Sequence, residues 1–476
     1  MTNSTALQSW ASSEFADARL GDRRLNARLV AMAAQIAEAP AGTVTEVFPE
    51  SSDREGAYRF VENDAIDPVE IGRAALRSCL QRTAGLPFFF VPVDGSSITL
   101  TDRGQKHGLG RVGTTMFPAR GLEVISAIGV APDGTPMGYA GQHYWARVGG
   151  LTKKDRKKRT IEQKETRHWL TTIGRVETVR CEIEGSARPW YQLDRGGDFK
   201  ELIEWAADTD AWLTVRANAN RVVRDSEARH LWSAVGVAPL LGSYDFEVSK
   251  SHGREAREAH IEVRAKKVEL QIRVPKKKTK KGKYRPRGER LRFIEMWAVL
   301  AREVGTAPRE EEPIEWLLLT NRPVKSLSMA KLVIRGYSYR WRIEDFHRTW
   351  KTTCRVEDAQ LRSAGAVERW AVTLAVVAMR IQRLMHLART QPELPATEEL
   401  TRDEIDALLL HKQPKKFNTG FMPTIGEAVT WIAEMGGYTG KSSGGPPGAQ
   451  TTGRGLQRLL MAARTVAAIR KLRSDQ

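Results

Sequence analysis

The chain of 476 residues carries 75 Lys plus Arg against 57 Asp plus Glu, a formal charge of +18, and 41% of it is hydrophobic. That length suggests roughly two to four units with ample core material, and that charge favours a polyanionic partner, either nucleic acid or an anionic membrane surface. No run of about 18 apolar residues suits a bilayer, Met1 to Gln8 lack the basic start and apolar core of a signal peptide, the three cysteines form no CxxC and the nine histidines no HExxH, so membrane, secreted and zinc classes recede.

Residues 1 to about 75 read as a small basic helical module. Leu25, Leu29, Met32 and Ile36 recur at helical spacing, and Arg19, Arg23, Arg24 and Arg28 crowd the start of that stretch. A solvated Arg-rich helix and a DNA-binding one fit equally well. Ser52 to Glu55 matches Ser-x-x-Glu, a capping box ahead of a helix.

From Leu86 the period changes. LPFFFVPVDG is a short apolar run closed by a turn signal, the pattern of a strand buried on both faces, and Asp94 stands at its expected end. GLEVISAIGVA and MGYAGQHYWARV follow as strands joined by Pro132-Asp133-Gly134, a hairpin turn. A basic run, LTKKDRKKRTIEQKETRHWLTTI, leads into a helix. RPWYQLDRGGDFKELIEWA then gives a strand ending in Asp194, a glycine pair and a helix, and AWLTVRA another strand. This order predicts a mixed sheet with helices, Asp94 and Asp194 lying at strand ends of one sheet.

Residues from about 220 to 313 break the rhythm. HIEVRAKKVELQIRV and LRFIEMWAVLA alternate as antiparallel strands do, and between them PKKKTKKGKYRPRGER is dense in Lys and Arg. A β insertion bearing a basic loop is expected, with phosphate contact and simple solvation both compatible with the loop. EWLLLTNRPV returns to a buried strand. A helix is then expected from about Ser328 to Lys351, and GAVERWAVTLAVVAMRIQRLMHLAR predicts a long core helix. Beyond Gln391 come helical segments around Thr424 to Met435 and Leu456 to Leu472, separated by a loop, GGYTGKSSGGPPG.

Wound as one helix, Tyr337 to Lys351 sorts into two faces. At about 100° per residue, Tyr337, Arg340, Glu344, Arg348 and Lys351 fall within an arc of about 80°, while Ile343, Phe346 and Trp350 take nearly the opposite side. A carboxylate with cations one turn away on each side suits a metal ligand among phosphate contacts. Ordinary i,i+4 ion pairing fits it too. Two aspartates at strand ends and a glutamate on a helix, in a basic protein, point to two-metal phosphoryl transfer, because carboxylates are hard ligands for Mg²⁺ or Mn²⁺.

These residues resemble a known family. Tyr337, Arg340, Glu344 and Lys351 match in full the Tyr-(2)-Arg-(3)-Glu-(6)-Lys signature of the bacterial DDE transposases of the insertion-sequence-four group. LGDRR, EGAYRF, the strand at Asp94, DRGGD and EWLLLT follow in the family's order. The resemblance covers most of residues 10 to 390. It implies an RNase H-like α/β core at 76–390, interrupted by the β insertion, with an N-terminal helical DNA-binding domain at 1–75 and a C-terminal helical region at 391–476 used for dimerisation. It further implies Asp94, Asp194 and Glu344 as the catalytic metal ligands, Mg²⁺ as cofactor with Mn²⁺ able to substitute, and Tyr337, Arg340, Lys351, Trp316 and Arg216 as DNA contacts, Trp316 by stacking on a flipped base. Arg348 joins them on geometry alone. Implied partners are double-stranded DNA, as terminal inverted repeats and target, and a second copy of the chain, in a bacterial cytoplasm at the nucleoid. A DNA-binding relative without catalysis, and a metal-dependent nuclease without strand transfer, remain open. One departure stands out: Gly196 replaces an acid of the family's Asp-Arg-Glu-Gly-Asp, while Asp194 and Asp198 remain.

Overall fold

A computed structural model describes residues 6–102, 108–113, 118–147, 164–225, 228–248, 256–275, 289–305, 311–413, 421–440 and 446–474. The basic runs at 148–163 and 276–288 and part of the Gly and Ser loop at 441–445 lie outside the described residues.

Five helices open the chain: α1 (Ala6–Phe15), α2 (Arg23–Glu38), α3 (Val44–Val47), α4 (Ser51–Val61) and α5 (Pro68–Gln81). Asp22 caps α2 by accepting from the Arg24 amide, and Asp67 caps α5 ahead of Pro68, which places Pro where its missing N–H costs nothing. The capping box expected at Ser52 is absent. Helix α4 already begins at Ser51 after Glu50, so Ser52 lies inside its first turn, and Glu55 reaches forward to Arg59 instead. Helix α5 runs straight through residue 75.

Strand β1 (Phe88–Leu100) organises the sheet. Its alternate residues divide between two cores: Phe89, Val91 and Val93 face one, Phe90 the other, as expected of a strand covered on both sides. It runs parallel to β5 (Arg188–Leu193) and antiparallel to β3 (Pro118–Val130). The strand does not stop at Asp94, as the turn signal suggested. Pairing with β3 carries it on to Leu100, because Gly95 enters the ladder opposite Ile125 rather than turning. A hairpin links β3 to β4 (Pro136–Trp145), with Gly134 at φ +95° in the turn. β2 (Gly110–Gly113) adds an edge strand on β3.

Beyond β5 the order continues β6 (Trp212–Arg216), β10 (Glu315–Thr320), β9 (Glu289–Glu303), β8 (Arg257–Pro275) and β7 (Leu240–Val248), giving ten strands among the described residues. The insertion is therefore an extension of the same hydrogen-bonded sheet, joined through β9 and β10. Helices α6 (Arg167–Arg180) and α7 (Lys200–Asp208) cover one face, where Ile173, Val176, Leu202 and Ile203 meet Tyr191 and Leu193. A short helix, α8 (Leu231–Gly236), lies on β8 and β9.

The other face carries α9 (Leu327–Ser338), α10 (Trp341–Arg348) and the long α11 (Ala364–Thr390). Helix α11 is long and apolar enough to cross a membrane by composition, yet 83% of its most apolar window is buried inside the protein. It is a core helix. Its Arg369 donates to the carbonyls of Val61 and Ile66, and Trp370 donates to that of Gly42, which binds the N-terminal helices to the core. Three more helices close the chain: α12 (Arg402–Lys412), α13 (Ile425–Met435) and α14 (Ala449–Ser474), the first two capped by full boxes at Thr401 and Thr424.

Candidate active site

The parallel register decides how close the two aspartates come. Val93 pairs with Leu193, the last pair of that ladder, so Asp94 and Asp194 are the next residues on neighbouring strands, about 4.8 Å apart in strand spacing. Asp94 Oδ1 accepts from the Gly95 amide at 2.8 Å. Asp194 Oδ1 accepts from the Gly196 amide at 2.7 Å and caps the tight turn Arg195–Gly197. Both glycines of that turn are close-packed: a Cβ on Gly196 would lie 3.0 Å from Asp194 Oδ1, and one on Gly197 would run into Leu193 at 2.5 Å. Burial first, then the neighbouring Asp194 charge, push the Asp94 carboxyl up to about 6 against the pull of Arg340.

The helix expected over Ser328 to Lys351 is three pieces. Ser326 caps α9 by accepting from the Met329 amide. The chain bends at Tyr339 and Arg340, α10 restarts at Trp341, and Thr349–Thr353 form a π-helical turn. Ile343, Phe346 and Trp350 are buried as expected, Trp350 stacking on Phe346 at 6.1 Å and donating to the Ala371 carbonyl. The opposite face does not stay together. Arg340, at the bend, turns inward: Nη1 lies 2.9 Å from Asp94 Oδ2 and Nη2 2.7 Å from Glu344 Oε1. One guanidinium thus ties the helix carboxylate to the strand carboxylate, with only 9% of its side chain exposed.

The other expected contacts spread outward. Tyr337 is buried and its ring meets Trp316 edge-on at 5.1 Å; Trp316, 9% exposed, is also edged by Phe246. Both are core residues. Arg216 donates to the Glu315 carbonyl at 3.0 Å, beside Trp316. Arg348 is exposed, paired with Asp345 at 3.1 Å, and Lys351 lies half-buried 3.8 Å from Glu357.

Two residues escaped the sequence reading. Trp341, half exposed, sits with the Arg340 guanidinium 5.2 Å from its ring centroid; its position off the charged arc hid it. Asp198, counted with Asp194 as a surviving acid, turns away from the site. Its fully buried carboxylate accepts from the Asn218 and Ala219 amides and pairs with Arg221 at 2.7 Å. It staples the Asp194 turn to the chain leaving β6, which only the tertiary structure reveals.

Family comparisons meet this geometry from three sides. Residues 7–66 match the model for Transposase DNA-binding, residues 253–380 that for Transposase DDE domain, and residues 376–475 that for Transposase Tn5 dimerisation domain. The chain belongs to the Tn5-like DDE transposases. The transposase is accordingly an enzyme of metal-dependent phosphoryl transfer on DNA, binds DNA through its first helices and forms homodimers. The DDE match includes Glu344 and the signature but begins after Asp94 and Asp194, which the sheet register sets side by side.

The donor set fits divalent ions in chemistry. The carboxylates of Asp194 and Glu344 both lie near enough to half-buried Asp94 to act on its charge, and carboxylates are hard ligands of the kind divalent ions take. In the present arrangement no group of three or more His, Cys, Asp or Glu among the described residues is close enough to hold a metal, and the cation between Asp94 and Glu344 is the guanidinium of Arg340.

Proposed function

We propose that this transposase works by cut and paste: it binds the terminal inverted repeats as a dimer, hydrolyses one strand, uses the new 3′ hydroxyl to form a hairpin, opens that hairpin and joins the ends to target DNA. The observation that carries the reading is the β1–β5 register, which sets Asp94 beside Asp194, together with the Arg340 bridge from Asp94 to Glu344.

In this reading Asp94, Asp194 and Glu344 hold Mg²⁺, with Mn²⁺ as a substitute. When bound by these carboxylates, divalent ions would supply activation of the attacking oxygen and charge stabilisation of the leaving one. The protein supplies position. Backbone amides of Gly95 and Gly196 orient one oxygen of each aspartate, and the buried Ile343, Phe346 and Trp350 hold α10 so that Glu344 faces β1. Arg348 and Lys351 border the site as phosphate contacts, Arg340 lies within it between Asp94 and Glu344 with Trp341 beside it, and Tyr337, Trp316 and Arg216 are the group that engages an extruded base. Residues 1–75 read the ends, 76–390 cut and join, and 391–476 dimerise. The protein acts in the bacterial cytoplasm, at the nucleoid.

The test is one reaction with the element's own ends in Mg²⁺, resolved on a denaturing gel, for the native chain and for Asp94→Ala. Nicks, hairpins and joined products from the native chain, and bound but uncut DNA from the variant, are expected. Nicks without hairpins or joining would reduce the protein to a nuclease, binding without any nick would leave a regulator, and full cleavage by the variant would remove Asp94 from the metal site.

A further inference from the structure

We propose that Arg340 is the internal counter-ion of the carboxylate site: in the DNA-free protein its guanidinium occupies oxygens that divalent ions need, and DNA phosphates draw it off, so metal and DNA bind cooperatively. The proposal rests on the assignment of Asp94, Asp194 and Glu344 as ligands.

The geometry gives the competition directly. Asp94 Oδ2 and Glu344 Oε1 are both taken by Arg340, at 2.9 and 2.7 Å, while Asp94 Oδ1 and Asp194 Oδ1 accept from backbone amides. A cation arriving at Asp94 and Glu344 therefore has to displace an Arg–carboxylate bridge. That bridge is strong because each bond is charge-assisted. It is also incomplete, since Arg340 Nε is buried without a hydrogen-bond partner among the described residues, which leaves the guanidinium a reason to move to a site that satisfies it.

Phosphate is such a site. A guanidinium matches phosphate oxygens as well as it matches carboxylates, Arg340 stands at a bend between two helices rather than within one, and the half-exposed Trp341 flanks it on the outward side. One guanidinium against three carboxylates leaves the pocket with a net charge of about minus two. When Arg340 transfers to DNA that deficit grows to about minus three, and affinity for divalent ions rises with it. By linkage, metal then raises DNA affinity by the same factor. Hydrolytic ions are thus admitted once DNA is seated.

Mn²⁺ alone, titrated into the DNA-free full chain and followed by the paramagnetic resonance of free Mn²⁺, tests this without turnover. Arg340→Ala is expected to bind Mn²⁺ at least about tenfold more tightly than the native chain, and Arg340→Lys, whose single ammonium cannot bridge both carboxylates, to fall between. A short blunt duplex should tighten Mn²⁺ binding to the native chain and leave Arg340→Ala nearly unchanged. Equal or weaker Mn²⁺ binding by a folded Arg340→Ala, or the same DNA effect in both proteins, overturns the proposal. Should the alanine variant fail to fold, as judged by its thermal melt, Arg340→Lys decides on the same criterion. Asp94→Asn separates the two layers: unaltered Mn²⁺ binding in that variant would remove the ligand assignment itself, whatever Arg340 does.

Discussion

The two sides of the carboxylate site are built by different means. Asp94 and Asp194 stand on adjacent strands whose backbone ladder sets their spacing, and a change of side chain elsewhere leaves that register alone. Glu344 and Arg340 stand on a bent helical segment held by what packs beneath it: Ile343, Phe346, Trp350 and the long helix Ala364–Thr390. The strand side is fixed by main-chain hydrogen bonds, the helix side by side-chain packing. A site made this way has one rigid wall and one adjustable wall, and perturbations should act differently on each.

The largest effect is expected on the rigid wall. Asp94→Ala should reduce end cleavage by about three orders of magnitude or more, the several kcal/mol that metal-assisted charge stabilisation supplies, while the variant still binds DNA in a gel-shift assay. On the adjustable wall, Trp350→Ala should cost stability first, about 3–5 kcal/mol for a fully buried indole, seen as an early denaturant midpoint. A variant that kept its stability and lost only activity would contradict the packing account.

The next test is electrostatic. Asp94 has its folded pKa raised to about 6 from an unfolded value near 3.9, so its charged form destabilises the fold and that cost grows as pH rises through this window. In chelator, Asp94→Asn should match the native chain near pH 3.5 and exceed it by up to about 3 kcal/mol above pH 7. The difference between the two proteins isolates Asp94 from the half-buried His143 and the buried His168, His347 and His386, whose lowered pKa values act in the opposite sense and are common to both. Absence of any pH dependence in that difference would mean Arg340 fully compensates the carboxylate. The smallest effect belongs to Arg348→Ala: an exposed side chain in a surface ion pair should change stability by less than about 0.5 kcal/mol while lowering the salt slope of DNA binding by about one.

The same contrast explains how much was legible in the sequence. Buried strands announce themselves by apolar runs, so β1, β6 and β10 are visible, and with β1 the neighbourhood of Asp94; β5, RPWYQL, is less apolar than a central strand usually is and signals its place more weakly. The extent of β1 was not visible, because Asp94-Gly95 reads locally as a turn and only the partner strand β3 draws it into the ladder. Helical periodicity likewise found the core face of Ile343, Phe346 and Trp350. It could not show the bend at Tyr339 and Arg340, since no proline or glycine marks it, and so it placed Tyr337 on a solvent-facing arc when its ring in fact packs on Trp316. Strand β7 and helix α12 went unseen: β7 is mostly half-exposed and α12 has no strong apolar stripe. The role of Asp198 depends on Asn218, Ala219 and Arg221, partners some twenty residues away that no local pattern connects.

Arg369 gives the DNA-reading helices and the catalytic core a shared fate. With 4% of its side chain exposed, it relies on the carbonyls of Val61 and Ile66 and on Asp64 for its hydrogen bonds. Removing residues 1 to about 75 would take away all three of these partners and bare to water the apolar surface of α11 that the N-terminal helices cover, a loss far greater than that of an ordinary surface contact. Mechanically, Arg369 joins the DNA-binding helices to the helix whose Ala371 carbonyl holds Trp350, so the two regions are linked by a strut rather than a tether.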